Sequence, residues 1–189
     1  MRTAIRKNRE RFYKIIPVIN KVIRAINSPS FRSHGRSRYS IIINGKKEFL
    51  DAEVHDFPGK FNITLTGSNQ DIVGNVVVAK SNWSNLDRQV KPEFRGYNLG
   101  KLLFRLAEQE VSRQGANKII IETYKSDVAA VALSLGYSLQ PESLQELRDL
   151  LDIREEHPGN QEIIKKLQPE KDIFFPLQIK FFREIRKKS

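Results

Sequence analysis

The sequence predicts an α/β fold in which a mixed, mostly antiparallel central sheet carries helices on both faces. Three observations predict it. Short apolar-rich segments between residues 39 and 90 are punctuated by Asn44-Gly45 and Gly67-Ser68-Asn69, the pattern of an antiparallel meander. Leu99, Leu102, Leu103, Leu106, Ala107 and Val111 then recur at three and four, forming one stripe of a helix. Ile119-Ile120-Ile121 follows, apolar on both parities, as in a central strand covered from both sides.

The first element is an amphipathic helix over residues 4 to 27, where Phe12, Ile15, Ile16, Ile19, Val22, Ile23 and Ile26 recur at helical spacing and Pro17 bends or breaks it. Its polar face is Arg and Lys. Three roles stand open for it: packing on the domain, an arm for nucleic acid or a partner, and an organelle-targeting presequence. Ser28 to Arg38 is small, polar and basic, a linker or substrate-side loop, with a domain boundary near residue 38.

Tyr39 to Ile43 and Glu48 to Val54 form a hairpin about Asn44-Gly45, since both turn residues accept positive φ. Strands follow over Phe61 to Leu65, Ile72 to Ala79 and Trp83 to Val90. The Leu-striped helix ends at Gln114-Gly115, with Gly as its cap. Ser126 or Asp127 caps a helix that runs to about Leu135 and stops at Gly136. Pro141 to Ile153 and about Asn160 to Leu167 read as two further helices, inside a stretch (141 to 172) with nine acids and five bases. The last strand is Ile173 to Phe182. The predicted organisation is therefore a basic helix and linker (1–38), one domain (39–182) with an acidic helical insertion (141–172), and a basic tail (183–189).

With 189 residues and 39% hydrophobic content, the chain suffices for one domain with a substantial core. No apolar run approaches the ~20 residues that cross a bilayer, so no transmembrane segment is predicted. The absence of cysteine excludes disulfides, a thiolate nucleophile and zinc-thiolate sites, and favours a reducing, cytoplasmic setting. His34, His55 and His157 lack metal-ligand spacing, so no metal is predicted. No Ser-centred nucleophile elbow occurs, and after Gly100-Lys101 a phosphate-loop reading fails because Leu102 occupies the hydroxyl position.

The net charge of +11 is uneven: residues 1 to 38 carry +10, residues 39 to 179 carry −3, and residues 180 to 189 carry +4. A nearly neutral body argues against a globular nucleic-acid face. The basic termini suit phosphate backbones or an anionic membrane surface, so nucleic-acid or ribonucleoprotein contact is expected, if anywhere, through residues 1–38.

The chemistry centres on Val90-Lys91-Pro92-Glu93-Phe94-Arg95-Gly96-Tyr97-Asn98-Leu99-Gly100-Lys101, where a strand gives way to a turn and then a helix. Asn98 tolerates the left-handed conformation, and Gly100 lets the backbone approach a ligand closely. Unpaired amides and the helix dipole at such a start favour an anionic phosphate. From Val90 to the Leu135-Gly136-Tyr137 element, the chain resembles the acetyl-CoA-binding core of the GNAT superfamily of N-acetyltransferases. The family signature is Arg/Gln-x-x-Gly-x-Gly/Ala, followed later by a short helix ending in Leu-Gly-Phe or Leu-Gly-Tyr. Arg95 takes the Arg/Gln place, Asn98 the first Gly place and Gly100 the Gly/Ala place.

The resemblance implies that Arg95, Gly96, Tyr97, Asn98, Leu99, Gly100 and Lys101 hold the pyrophosphate of acetyl-CoA, a co-substrate. It also implies that the Val90 backbone pairs with the pantetheine arm and polarises the thioester. The thiolate acid common in the family falls at Ala132, and an Asn common near that helix start falls at Lys125; both depart from the pattern. Tyr124 and Tyr137 are the alternatives for the acid. Glu122, at the carboxyl end of the presumed central strand, is the candidate base, with Asp87 as its rival. Two functions follow. One is direct transfer of acetyl from acetyl-CoA to an amine of an unidentified acceptor. The other is a degenerate module of the same fold that binds nucleic acid or a protein partner through its basic termini.

Overall fold

The computed structural model describes residues 36–43, 45–167 and 174–185. Eight strands form one sheet in the order β1-β2-β3-β4-β5-β6-β8-β7. β1 (Arg36–Ile43), β2 (Lys46–Phe57), β3 (Lys60–Thr66), β4 (Ile72–Ala79) and β5 (Ser84–Val90) make the antiparallel meander that the turn residues predict. Ile43 pairs with Lys46 across a two-residue loop, with Gly45 at φ 80°. The expected basic helix lies outside the described residues. The expected linker gives way earlier than predicted, because Arg36, Ser37 and Arg38 already pair with Glu53, Ala52 and Asp51.

After β5 come α1 (Leu99–Arg113), β6 (Lys118–Lys125), α2 (Ser126–Ser134), β7 (Ser138–Leu139), α3 (Pro141–Leu150), α4 (Asn160–Leu167) and β8 (Phe174–Glu184). β5 and β6 run parallel, whereas β6 with β8 and β7 with β8 are antiparallel. The fold is thus the mixed, mostly antiparallel sheet that the sequence predicts. β7, only two residues long, is too short for periodicity to reveal. β8 reaches two residues into the predicted tail, where Arg183 donates to the Leu135 carbonyl and lies 3.6 Å from Glu108.

Cross-strand partners share a face. Phe61, Ile63 and Leu65 lie opposite Val78, Val76 and Gly74, and all are buried beneath α1. The predicted helical stripe is buried as expected, together with Phe104, Glu108 and Glu110. The two acids tolerate burial because each is bonded: Glu108 accepts from Arg105 at 2.7 Å, and Glu110 accepts from Arg113 and Gln114.

The acidic insertion, in its described portion, is part of the domain core. Leu147, Ile153, Ile163 and Leu167 are buried in the common cluster, α4 packs on α2, and Asn160 Nδ2 donates to the Leu133 carbonyl at 3.2 Å. On α3, Glu142 and Asp149 are exposed on the solvated side.

Candidate functional site

The site begins with a break in the sheet. β5 meets β6 through only two register pairs, Ser84 with Ile120 and Asn85 with Ile121, supported by the Ile120 N–H donating to the Trp83 carbonyl at 2.9 Å. Just beyond, the β4–β5 register slips: Val78 faces Asn85 but Val77 faces Asp87, so Leu86 is an extra residue. A bulge bends its strand and increases its twist. From that point β5 stays with β4 and parts from β6, opening a wedge through the sheet towards the carboxyl ends of both strands.

The turn at the mouth of the wedge has the geometry its residue types predict. Pro92–Phe94 form one 3₁₀ turn, Gly96 has φ 82°, and Asn98 is left-handed at φ 61°, ψ 19°. No side chain caps α1; its first internal acceptor is the Asn98 carbonyl, which takes the Lys101 and Leu102 amides at 3.0 and 3.1 Å. Ahead of these, the Leu99 and Gly100 amides have no acceptor within the helix and suit an anion. Burial, and then neighbouring Arg105, hold the Lys101 pKa below its usual range. A bound anion would relieve that penalty.

This strand, bulge, parallel partner and open helix start lead, through α2, to Leu135-Gly136-Tyr137, the order that the resemblance in the sequence implies. No family model matches the chain, and no curated protein matches it. Among solved structures it is similar to an IAA acetyltransferase from Bacillus cereus ATCC 14579, with 17% identity over 68% of this chain and 79% of that one and a TM-score of 0.46. It is also similar to a Bacillus anthracis str. Ames chain assigned as a streptothricin acetyltransferase and solved with acetyl coenzyme A (16% identity, 83% and 91% covered, TM-score 0.45). An aminoglycoside 6'-N-acetyltransferase from Enterococcus faecium gives 17% identity, 70% and 77% coverage and a TM-score of 0.42.

The structure places two residues that sequence reasoning missed. Arg88 lies opposite Val76, on the buried face, and its side chain is 8% exposed. It crosses from β5 to Asp127 at the start of α2, with Nη2 3.2 Å from Oδ2, and its guanidinium lies over the Phe104 ring at 5.2 Å. Burial pushes its pKa down, Asp127 pushes it up, and Arg95 lowers it further. A signal existed: on a strand Arg88 shares a face with Val90, two residues on, and a buried arginine requires a partner.

Gly100 also takes on a different meaning. A Cβ on it would lie 1.9 Å from Arg88 Nη1, so the guanidinium already occupies the space that the sequence reading reserved for a ligand.

Glu122 and Tyr124 alternate with buried Ile121 and Thr123, so they leave β6 on the opposite face from Arg88. Glu122 lies past the last β5 pairing and 3.4 Å from Lys180; Tyr124 is half exposed. Asp87, on the other arm of the wedge, faces the same way and accepts from Gln89 at 2.9 Å. Ala132 is fully buried, as is Tyr137, which is a core residue beside Phe104 and Glu108. Among the described residues no cluster of His, Cys, Asp or Glu could hold a metal, and no helix is long and apolar enough to cross a membrane. Nothing there supports nucleic-acid contact, and the expected arm lies outside the described residues apart from β1.

Burial, and then Glu108, raise the Tyr137 pKa well above the usual value. The folded state therefore keeps this proton where the unfolded chain loses it. Its contribution is fully present below the unfolded value of about 10 and is lost as pH rises towards the folded value, with a slope approaching about 1.4 kcal/mol per pH unit. Urea unfolding across pH 10 and above is expected to show this slope, and Tyr137→Phe is expected to flatten it. An equal slope in both proteins refutes the assignment.

Proposed function

We propose that the chain is an N-acyltransferase that moves the acetyl group of acetyl-CoA directly onto an amine. The observation that supports this most is the wedge: a parallel strand pair parting at a bulge, with an uncapped, cation-flanked helix start on one face and two carboxylates on the other. The amides around Gly96 to Gly100, with Arg95 and Lys101, are assigned to the phosphates, and the Val90 backbone to the pantetheine arm. When bound, the thioester supplies the acyl group. The chain's part is to orient the amine, accept its proton and return one to the departing sulfur. Glu122 is assigned as base and Tyr124 as acid. Asp87 and Glu122 together favour a cationic amine, arriving from the face opposite α1.

Asn98→Asp tests this reading without disturbing the fold, because Asp tolerates the left-handed region and is favourable at a helix start. Its stability is expected to stay within about 0.5 kcal/mol of the parent. Its carboxylate would face the phosphates, lowering acetyl-CoA affinity by a factor on the order of 10–100 in calorimetric titration. An unmodified chain that binds no acetyl-CoA and releases no CoA with a panel of amines would sink the proposal.

A further inference from the structure

At the β1–β2 end of the sheet an apolar face is buried, yet among the described residues no helix packs across it. Ala52 lies opposite Leu65, which is buried beneath α1, and by strand alternation Leu50, Tyr39 and Ile41 share that face. All four are buried. The described helices lie elsewhere: α1 packs on β3, β4 and β5, α2 on β6 and β8, and α3 on β8. A neighbouring strand covers an edge, not a face. The wall beside this floor tells the same story. Phe104 and Glu108 of α1 turn towards Tyr137 and Arg183, whereas Leu102 and Leu106 lie on the opposite flank of the helix, towards β2, and are buried as well. An apolar floor and wall of this kind require a covering layer.

We propose that the cover is the chain's own amphipathic segment, residues 12–26, docked as a helix along β1 and β2 beside α1. Its stripe from Phe12 to Ile26 supplies the apolar surface that the floor calls for. The lengths agree: residues 12–26 span about 22 Å as a helix, and the eight residues of β1 span about 26 Å. Residues 27–35 join the segment to β1 at Arg36 and reach up to roughly 30 Å, enough to turn back over the sheet. Pro17 falls opposite the stripe, so the carbonyl that its ring leaves unbonded meets water rather than the sheet. Lys14, Lys21 and Arg24 share that outer side and stay solvated. A second copy or another protein would have to find the floor from solution, whereas the tethered segment is held near it at high effective concentration. The segment is thus part of the core, not a free arm or a presequence whose removal would uncover the floor.

Two measurements on the full chain test this. Because the chain has no cysteine, a single introduced thiol reports its own surroundings. Ile19→Cys, in the stripe, is expected to react with a maleimide about a hundredfold more slowly than Lys21→Cys, on the outer side, since its labelling requires local opening. Val22→Cys, in the same stripe, gives a second reading. Equal rates at stripe and outer positions overturn the proposal. Location is read by photo-crosslinking with Ile43 or Ile42 replaced by p-benzoylphenylalanine. Ile43 is partly buried at the rim of the floor, and Ile42 is half exposed on the other face, so neither replacement reaches into the closed core. Irradiation is expected to join position 43 to residues 12–26 within one chain and to leave position 42 unjoined to them. A product linking two chains would show a second copy on the floor and overturn the proposal. So would a position 43 that joins no part of residues 12–26.

Discussion

Phe104→Ala is expected to lower the free energy of unfolding by about 3–5 kcal/mol, the range for removing a buried aromatic from a packed core. Phe104 is fully buried on α1, with the Arg88 guanidinium 5.2 Å from its ring centroid and the Tyr137 ring at 6.3 Å, tilted by 47°. Its removal leaves a cavity that two neighbours cannot fill. Tyr137 belongs to the buried cluster, and Arg88 is held by Asp127. The guanidinium also loses its aromatic face, a contact worth roughly 0.5–2 kcal/mol that overlaps with the cavity cost. Because natural domains unfold with about 5–15 kcal/mol, the variant would retain only a narrow margin. Urea denaturation checks this through the midpoint at unchanged slope. A loss below about 1 kcal/mol would mean that the core closes over the gap.

Gly100→Ala is expected to change sign with its background. In the parent chain the new methyl group would meet Arg88 Nη1 at 1.9 Å and Cζ at 3.1 Å. The guanidinium is the end of a long side chain, but it is 8% exposed and paired with Asp127, so moving it breaks that pair. A destabilisation of about 1–3 kcal/mol is expected, as for overpacking. In an Arg88→Ala background the obstacle is gone, and only the helix preference of Ala over Gly remains. The same substitution should then be neutral or stabilising by up to about 1 kcal/mol. Thermal unfolding of the four proteins closes the cycle. Equal effects in both backgrounds would show that Gly100 serves something other than the approach of Arg88. A bulky residue at Gly100 therefore perturbs the Arg88–Asp127 pair before it meets any ligand.

Much of this protein was legible in its sequence. Asn44-Gly45 marks a hairpin because few residues accept positive φ, and Ile72–Ala79 has the same bounds in sequence and structure. The α1 stripe is buried position for position because helical spacing is a local property of the backbone. The left-handed Asn98 at an uncapped helix start follows from residue type and neighbours alone. Errors clustered where local pattern competes with distant partners. Ser28 to Arg38 looked like a linker, yet Arg38 bonds Asp51 at 2.8 Å. The stretch from 141 to 172 read as an acidic insertion, yet its Leu147, Ile163 and Leu167 are buried in the core. β7 is two residues long, recognisable only by its pairing with β8.

The sequence by itself determined the meander, the turn and the phosphate-ready helix start, since dihedral preferences and periods of two and 3.6 residues act over a few positions. Only the tertiary structure decided where β5 leaves β6 and what spans the opening. The bulge at Leu86 depends on how β4 pairs with β5, and Arg88 finds Asp127 across 39 residues of chain. Burial turns that meeting into a constraint, because a guanidinium taken out of water must be paired.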